Sequence, residues 1–116
     1  MRHKSKKVTL DRKTAARRSL MANMAESLVL YEKIKTTKAK AKAVRSFTER
    51  LITKAKSQDL TARRELMKVL YTENAIKKLM EVLAPKYKDR KGGYTRIVLF
   101  KNRKGDGAEE VILELV

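Results

Sequence analysis

"YTRIVLFKNRKGDGAEEVILELV", residues 94–116, is where this chain changes its rhythm. Its two flanks, "YTRIVLFK" (94–101) and "EEVILELV" (109–116), are rich in β-branched and aliphatic residues. Between them "NRKGDG" supplies two glycines for a tight connection. The spacing predicts a β-hairpin. Alternation along the strands puts Ile97 and Leu99 on one inner face with Val111, Leu113 and Leu115.

Upstream of the hairpin the period is mostly helical. Asp11 is expected to cap a first helix reaching about residue 32, on a stripe of Ala16, Leu20, Met24, Leu28 and Tyr31. "KIKTT", Lys33 to Thr37, is short, alternating and β-branched, and reads as a brief strand. Thr37 then caps a second helix to about Lys56, with Ala41, Val44, Phe47 or Thr48, Leu51, Ile52 and Ala55 inward. Asp59 caps a third over 60–71 that packs Leu66, Val69 and Leu70. Asn74 starts a fourth, with Ile76, Leu79, Met80 and Leu83 as its apolar stripe, and Pro85 should stop it. The order α-β-α-α-α-β-β is that of an α+β fold, a small sheet covered on one face by helices. No internal repeat or linker divides the chain: residues 11–116 read as one domain. Residues 1–10 have no periodicity and little to bury, and read as a basic N-terminal arm, disordered in isolation.

Charge dominates the composition. The 116 residues carry 30 Lys and Arg against 13 Asp and Glu, a net charge of +17. Self-repulsion on that scale calls for a neutralising partner: nucleic acid, an anionic membrane or an acidic protein. The charge is also lopsided. Residues 1–58 hold 17 basic and 4 acidic groups, net +13, whereas 59–116 hold 13 and 9, net +4. Such asymmetry favours a polarised binding protein over one that is merely well solvated.

Catalytic signatures are missing. The single histidine, His3, has no nearby partner in sequence, and Glu109 and Glu110 point to opposite faces of a strand. Neither a P-loop nor a dinucleotide fingerprint occurs. With no cysteine, disulfides and thiolate metal sites are excluded, in keeping with a reducing cytosol. The longest uncharged run near the start, "SLMANMA", is too short for a signal peptide or a membrane span. The chain is expected to be a soluble intracellular protein that is not an enzyme and needs no cofactor, metal or small-molecule substrate.

Candidate binding residues fall in three groups. Arg12, Lys13, Arg17 and Arg18 crowd the first turns of the first helix, where cations oppose the helix dipole. Lys38, Lys42 and Arg45 stack on one face of the second. "DRKGGYTR", Asp89 to Arg96, offers Gly92 and Gly93 as bare backbone that a phosphate can approach, with Arg90, Lys91 and Arg96 around it. Aromatic residues are few, and Tyr31, Phe47 and Tyr71 lie on or near apolar stripes, so they are expected in the core. Recognition should then rest on phosphate, sugar and shape, without base stacking.

Several segments are more specific than this. "MRHK" at the start, "LDR" at 10–12, "NMAESLVLYEKIKTTKAKAK" at 23–42, "LITKAK" at 51–56, "RKGGYTRI" at 90–97 and the closing "ILELV" together resemble the bacterial large-ribosomal-subunit protein seventeen family. The resemblance spans nearly the whole chain. It implies a structural, non-catalytic constituent of the large subunit, bound to large-subunit ribosomal RNA near the exit side of the polypeptide tunnel and touching neighbouring ribosomal proteins. It also implies a cytoplasmic location, in the ribosome. The family's arm maps onto Arg2, His3, Lys4, Lys6, Lys7, Arg12 and Lys13, its strand motif onto Ile34, Lys35, Thr36 and Thr37, and its glycine motif onto Gly92, Gly93, Tyr94 and Arg96. Position 11 is Asp where Asn is more usual, and either can cap a helix. The competing reading is a histone-like, DNA-binding architectural protein, but no apolar wedge on a basic hairpin and no dimerisation heptad is present. Membrane-surface binding lacks the bulky apolar face it requires.

Overall fold

The computed structural model describes residues 8–116, so most of the expected arm lies outside the described residues. Element order follows the expectation: α1 (Thr14–Tyr31), β1 (Lys33–Thr37), α2 (Lys38–Ala55), α3 (Leu60–Val69), α4 (Glu73–Lys78), β2 (Thr95–Asn102) and β3 (Glu109–Leu115). The three strands form one antiparallel sheet in the order β1-β3-β2. The last strand therefore lies in the middle, with Ile34 opposite Leu113 on one side and Ile97 opposite Leu113 on the other. Helices cover one face. Leu28 and Val29 of α1, Val44 and Ile52 of α2, Leu66 of α3 and Val111 and Leu113 of β3 share the buried core.

Helix ends correct several expectations. Asp11 does not cap α1. Leu10 and Asp11 both sit at φ +53°, in a turn closed by the Arg12 N–H on the Thr9 carbonyl at 3.1 Å, and the helix starts two residues later behind Lys13. Thr37 occupies the N-cap of α2, but its side chain makes no capping bond. Asp59 does cap α3, accepting the Ala62 N–H at 2.7 Å. The stripe of α1 holds in its middle, where Leu28 is buried and Met24 packs against the core, and fails at its ends. Ala22, Ala25, Leu28 and Val29 are buried, whereas Ala16 in the first turn and Tyr31 at the last position of the helix are exposed.

Pro85 does not stop the fourth helix. The chain passes from α4 through a π-helical turn (Leu79–Leu83) into a last α-turn (Ala84–Lys86), with the Ala84 N–H bonded to the Leu79 carbonyl five residues back. In a regular α-helix the proline ring would meet the carbonyl four residues earlier, and the extra residue in the wide turn relieves that clash. On β2, Leu99 also departs from expectation: it is 73% exposed rather than inward. The helices cover only the Thr95–Ile97 end of the strand, and the pairing slips by one residue between Leu99 and Lys101.

Candidate nucleic-acid interface

Ten lysines and arginines make ion pairs with carboxylates among the described residues. Half of them sit at the sheet: Lys33 and Arg96 on Glu114, Lys35 on Glu110, Lys38 on Glu109 and Arg103 on Asp106. The Arg96 guanidinium donates to Glu114 at 2.6 Å and holds that carboxyl below its ordinary range. Arg103, helped by the Ala108 N–H, lowers Asp106 to about 2. Four acids thus offset part of the positive charge at the sheet end, where Lys101 and Lys104 have no carboxylate partner among the described residues.

The helical side is different. An open groove of about 1050 Å³ runs between the start of α1, the middle of α2 and the end of α3. Arg17, Arg18, Lys42, Arg50 and Lys68 rim it, and none of the described residues that line it is acidic. None of these five cations has a carboxylate partner among the described residues. Arg17 reaches back instead to the Arg12 carbonyl at 3.2 Å, and Arg12 to the Leu10 carbonyl at 3.0 Å. Unscreened by local acids, the five cations make this groove an anion-attracting surface.

The residues read from sequence separate accordingly. Arg17, Arg18 and Lys42 come together in the groove. Lys38 and Arg45 are drawn away to Glu109 at 3.4 Å and Glu49 at 3.5 Å. Lys35, Thr36 and Thr37 line a separate small cavity of about 240 Å³ with Lys40, Arg103 and the acid Glu110. Arg2, His3, Lys4, Lys6 and Lys7 lie outside the described residues.

The glycine turn is built for support as much as for display. Gly92 and Gly93 adopt φ +102° and +61°. Tyr94, read from sequence as a binding residue, is only 1% exposed. Its N–H donates to the Glu49 carboxylate at 2.9 Å, and its ring packs on Tyr87 with centroids 5.0 Å apart. Its hydroxyl donates to the Arg90 carbonyl at 3.2 Å and accepts from Lys56 at 3.2 Å and Thr53 at 3.4 Å. Burial alone would raise this phenol, but the bonds from Thr53 and Lys56 and the Lys56 charge bring it below its ordinary value. Tyr94 therefore fixes the turn from inside, leaving Arg90, Lys91 and Arg96 exposed around it.

Sequence reading missed Arg50, Lys68 and Tyr71. Arg50 follows Lys42 by eight residues on α2, so helical spacing carries its signal. Lys68 and Tyr71 reach the groove only through the packing of α3 against α2, and nothing local marks them. Tyr71, expected in the core, is 63% exposed on the groove wall.

Residues 20–116 match the family described as Ribosomal protein L17. The chain is 50% identical over 117 residues to "Large ribosomal subunit protein bL17" of Hydrogenobaculum sp. (strain Y04AAS1), covering all of this chain and 99% of that one. It is 49% identical over 116 residues to the protein of the same name from Solibacter usitatus (strain Ellin6076), covering all of this chain and 77% of that one. The corresponding protein of Syntrophotalea carbinolica is 47% identical over 116 residues, with 75% of its length covered.

Proposed function

The chain belongs to the ribosomal protein L17 family, and from that premise we propose that it binds large-subunit ribosomal RNA chiefly through the groove of α1, α2 and α3. It is a structural constituent of the large ribosomal subunit in the bacterial cytoplasm and not an enzyme. One observation carries the RNA-binding reading: five cations converge on one groove with no acid among the described residues of its lining. Each Lys or Arg docked on a phosphate releases condensed counterions, so affinity depends steeply on salt. The Gly92–Gly93 turn and the β1–α2 junction add further phosphate contacts in this reading. So do the basic residues of 1–10, as an arm on the single domain of 11–116. Neighbouring large-subunit proteins near the exit side of the tunnel are its protein partners.

The test is a salt titration of the full chain on protein-free large-subunit ribosomal RNA. With about six to ten contacts, affinity falls by roughly 10³ to 10⁵ between 50 and 200 mM salt. Flat salt dependence, or displacement by duplex DNA in preference to the RNA, overturns it in favour of the histone-like alternative. Crosslinking within intact large subunits checks the neighbours.

A further inference from the structure

The groove is not made of charge alone. Beneath its cationic rim lie Met21, Ala43, Phe47 and Val69, and Tyr71 stands at its wall. A surface that met only duplex backbone would have no use for such a floor. Stacked bases in an A-form helix keep their faces inside, and phosphates, riboses and base edges, but no base faces, reach a flat partner. An unstacked nucleotide differs. It carries an apolar π-face and an anionic phosphate within one residue of chain, matching an apolar floor beneath a cationic rim.

Tyr71 is also held in place. Its main-chain N–H donates to the buried Glu26 carboxylate of α1, as does that of Thr72 at 2.8 Å. Its hydroxyl lies 3.5 Å from Ser19 Oγ on the same helix. The ring is therefore anchored at both ends while most of it faces solvent. An exposed aromatic fixed in the same groove as Arg18 and Lys42 is a stacking platform that costs little conformational entropy to use.

We propose that this groove receives a base turned out of the RNA helix, stacked on Tyr71 above the Phe47–Met21 floor, with Arg18, Lys42 and Arg50 on the flanking phosphates. The proposal rests on the RNA-binding reading and adds base contact to the phosphate contacts expected from sequence. An acidic, amphipathic protein segment is the other conceivable occupant. The high density of rim cations and the flat aromatic favour the nucleotide.

The test compares wild type, Tyr71→Ala and Tyr71→Phe as full chains on protein-free large-subunit ribosomal RNA, each first checked by circular dichroism and melting. Tyr71→Ala should bind about tenfold more weakly at fixed salt with an unchanged salt slope, because the lost contact is not ionic. Tyr71→Phe should bind like wild type. Ultraviolet irradiation of the wild-type complex should leave a nucleotide adduct on the peptide containing Tyr71. Unaltered affinity in Tyr71→Ala together with no adduct overturns the proposal, even while a steep wild-type salt slope upholds RNA binding itself. If Tyr71→Ala fails its folding check, the wild-type adduct alone decides. Tyr71 crosslinked to a protein peptide in intact subunits, and to no nucleotide, assigns the groove to a protein and likewise overturns it.

Discussion

The Glu26 carboxylate, only 7% exposed, accepts the main-chain N–H of Thr72 at 2.8 Å from 46 residues away. The same oxygen takes the Tyr71 N–H, so one buried acid on α1 satisfies two donors in the link between α3 and α4. Acids are scarce in the first half of the chain, and this one is spent on architecture.

Glu26→Ala should therefore destabilise the protein by about 2–3 kcal/mol, since two N–H groups lose a charged acceptor within the fold. Glu26→Gln keeps an acceptor oxygen and should cost about half as much. Urea unfolding with a shared slope separates the two.

Charge changes on the helical side should not be equivalent. Arg18→Ala, Lys42→Ala and Arg50→Ala remove cations with no carboxylate partner and should each reduce the salt slope of RNA binding by about one. Lys38→Ala and Arg45→Ala should change it less, because Glu109 and Glu49 already compensate those charges. Binding isotherms at four or five salt concentrations give the slopes.

Gly92→Ala should cost about 1–2 kcal/mol. Nothing lies within 4 Å of where its Cβ would stand, so the cost comes from holding an L-residue at φ +102°. Gly93→Ala, at φ +61° in the ordinary left-handed region, should cost less. Thermal melts of the two variants rank them.

Acid should loosen the hairpin turn late. The Arg103 bond holds Asp106 at about 2, below the free carboxyl, so its contribution is complete above about pH 4 and is lost as pH falls toward 2. Glu114, lowered by Arg96, acts in the same direction. Carboxyl NMR titration should find the Asp106 midpoint near 2, and Arg103→Ala should return it to the usual range near 4. An unperturbed midpoint in the wild type would show that the Arg103 contact does not persist in solution.

Local chemistry made most elements legible. Asp59 announced α3, alternation announced β3, and the change from helical to strand period after Gly93 gave the fold class. What failed were features decided at a distance. Tyr31 and Tyr71 share the apolar spacing of buried residues, yet no element covers them. Leu99 has the parity of an inner-face residue on a strand whose far end the helices do not reach. Pro85 normally ends a helix, and nothing in the flanking residues reveals a wide turn upstream. The groove cations were half visible: Arg17, Arg18 and Lys42 stood out by clustering, while Lys68 arrives through packing alone.

β2 forms one border of the sheet, with Val98, Leu99 and Phe100 open to water. A straight apolar border of that kind templates another chain, and copies of one protein then zip into fibres. Because Phe100 has no partner in the register with β3, the ladder is broken where it is greasiest, and Lys101 follows at once. That break bends β2 at its most exposed apolar stretch, so the strand offers no continuous straight edge to a second copy.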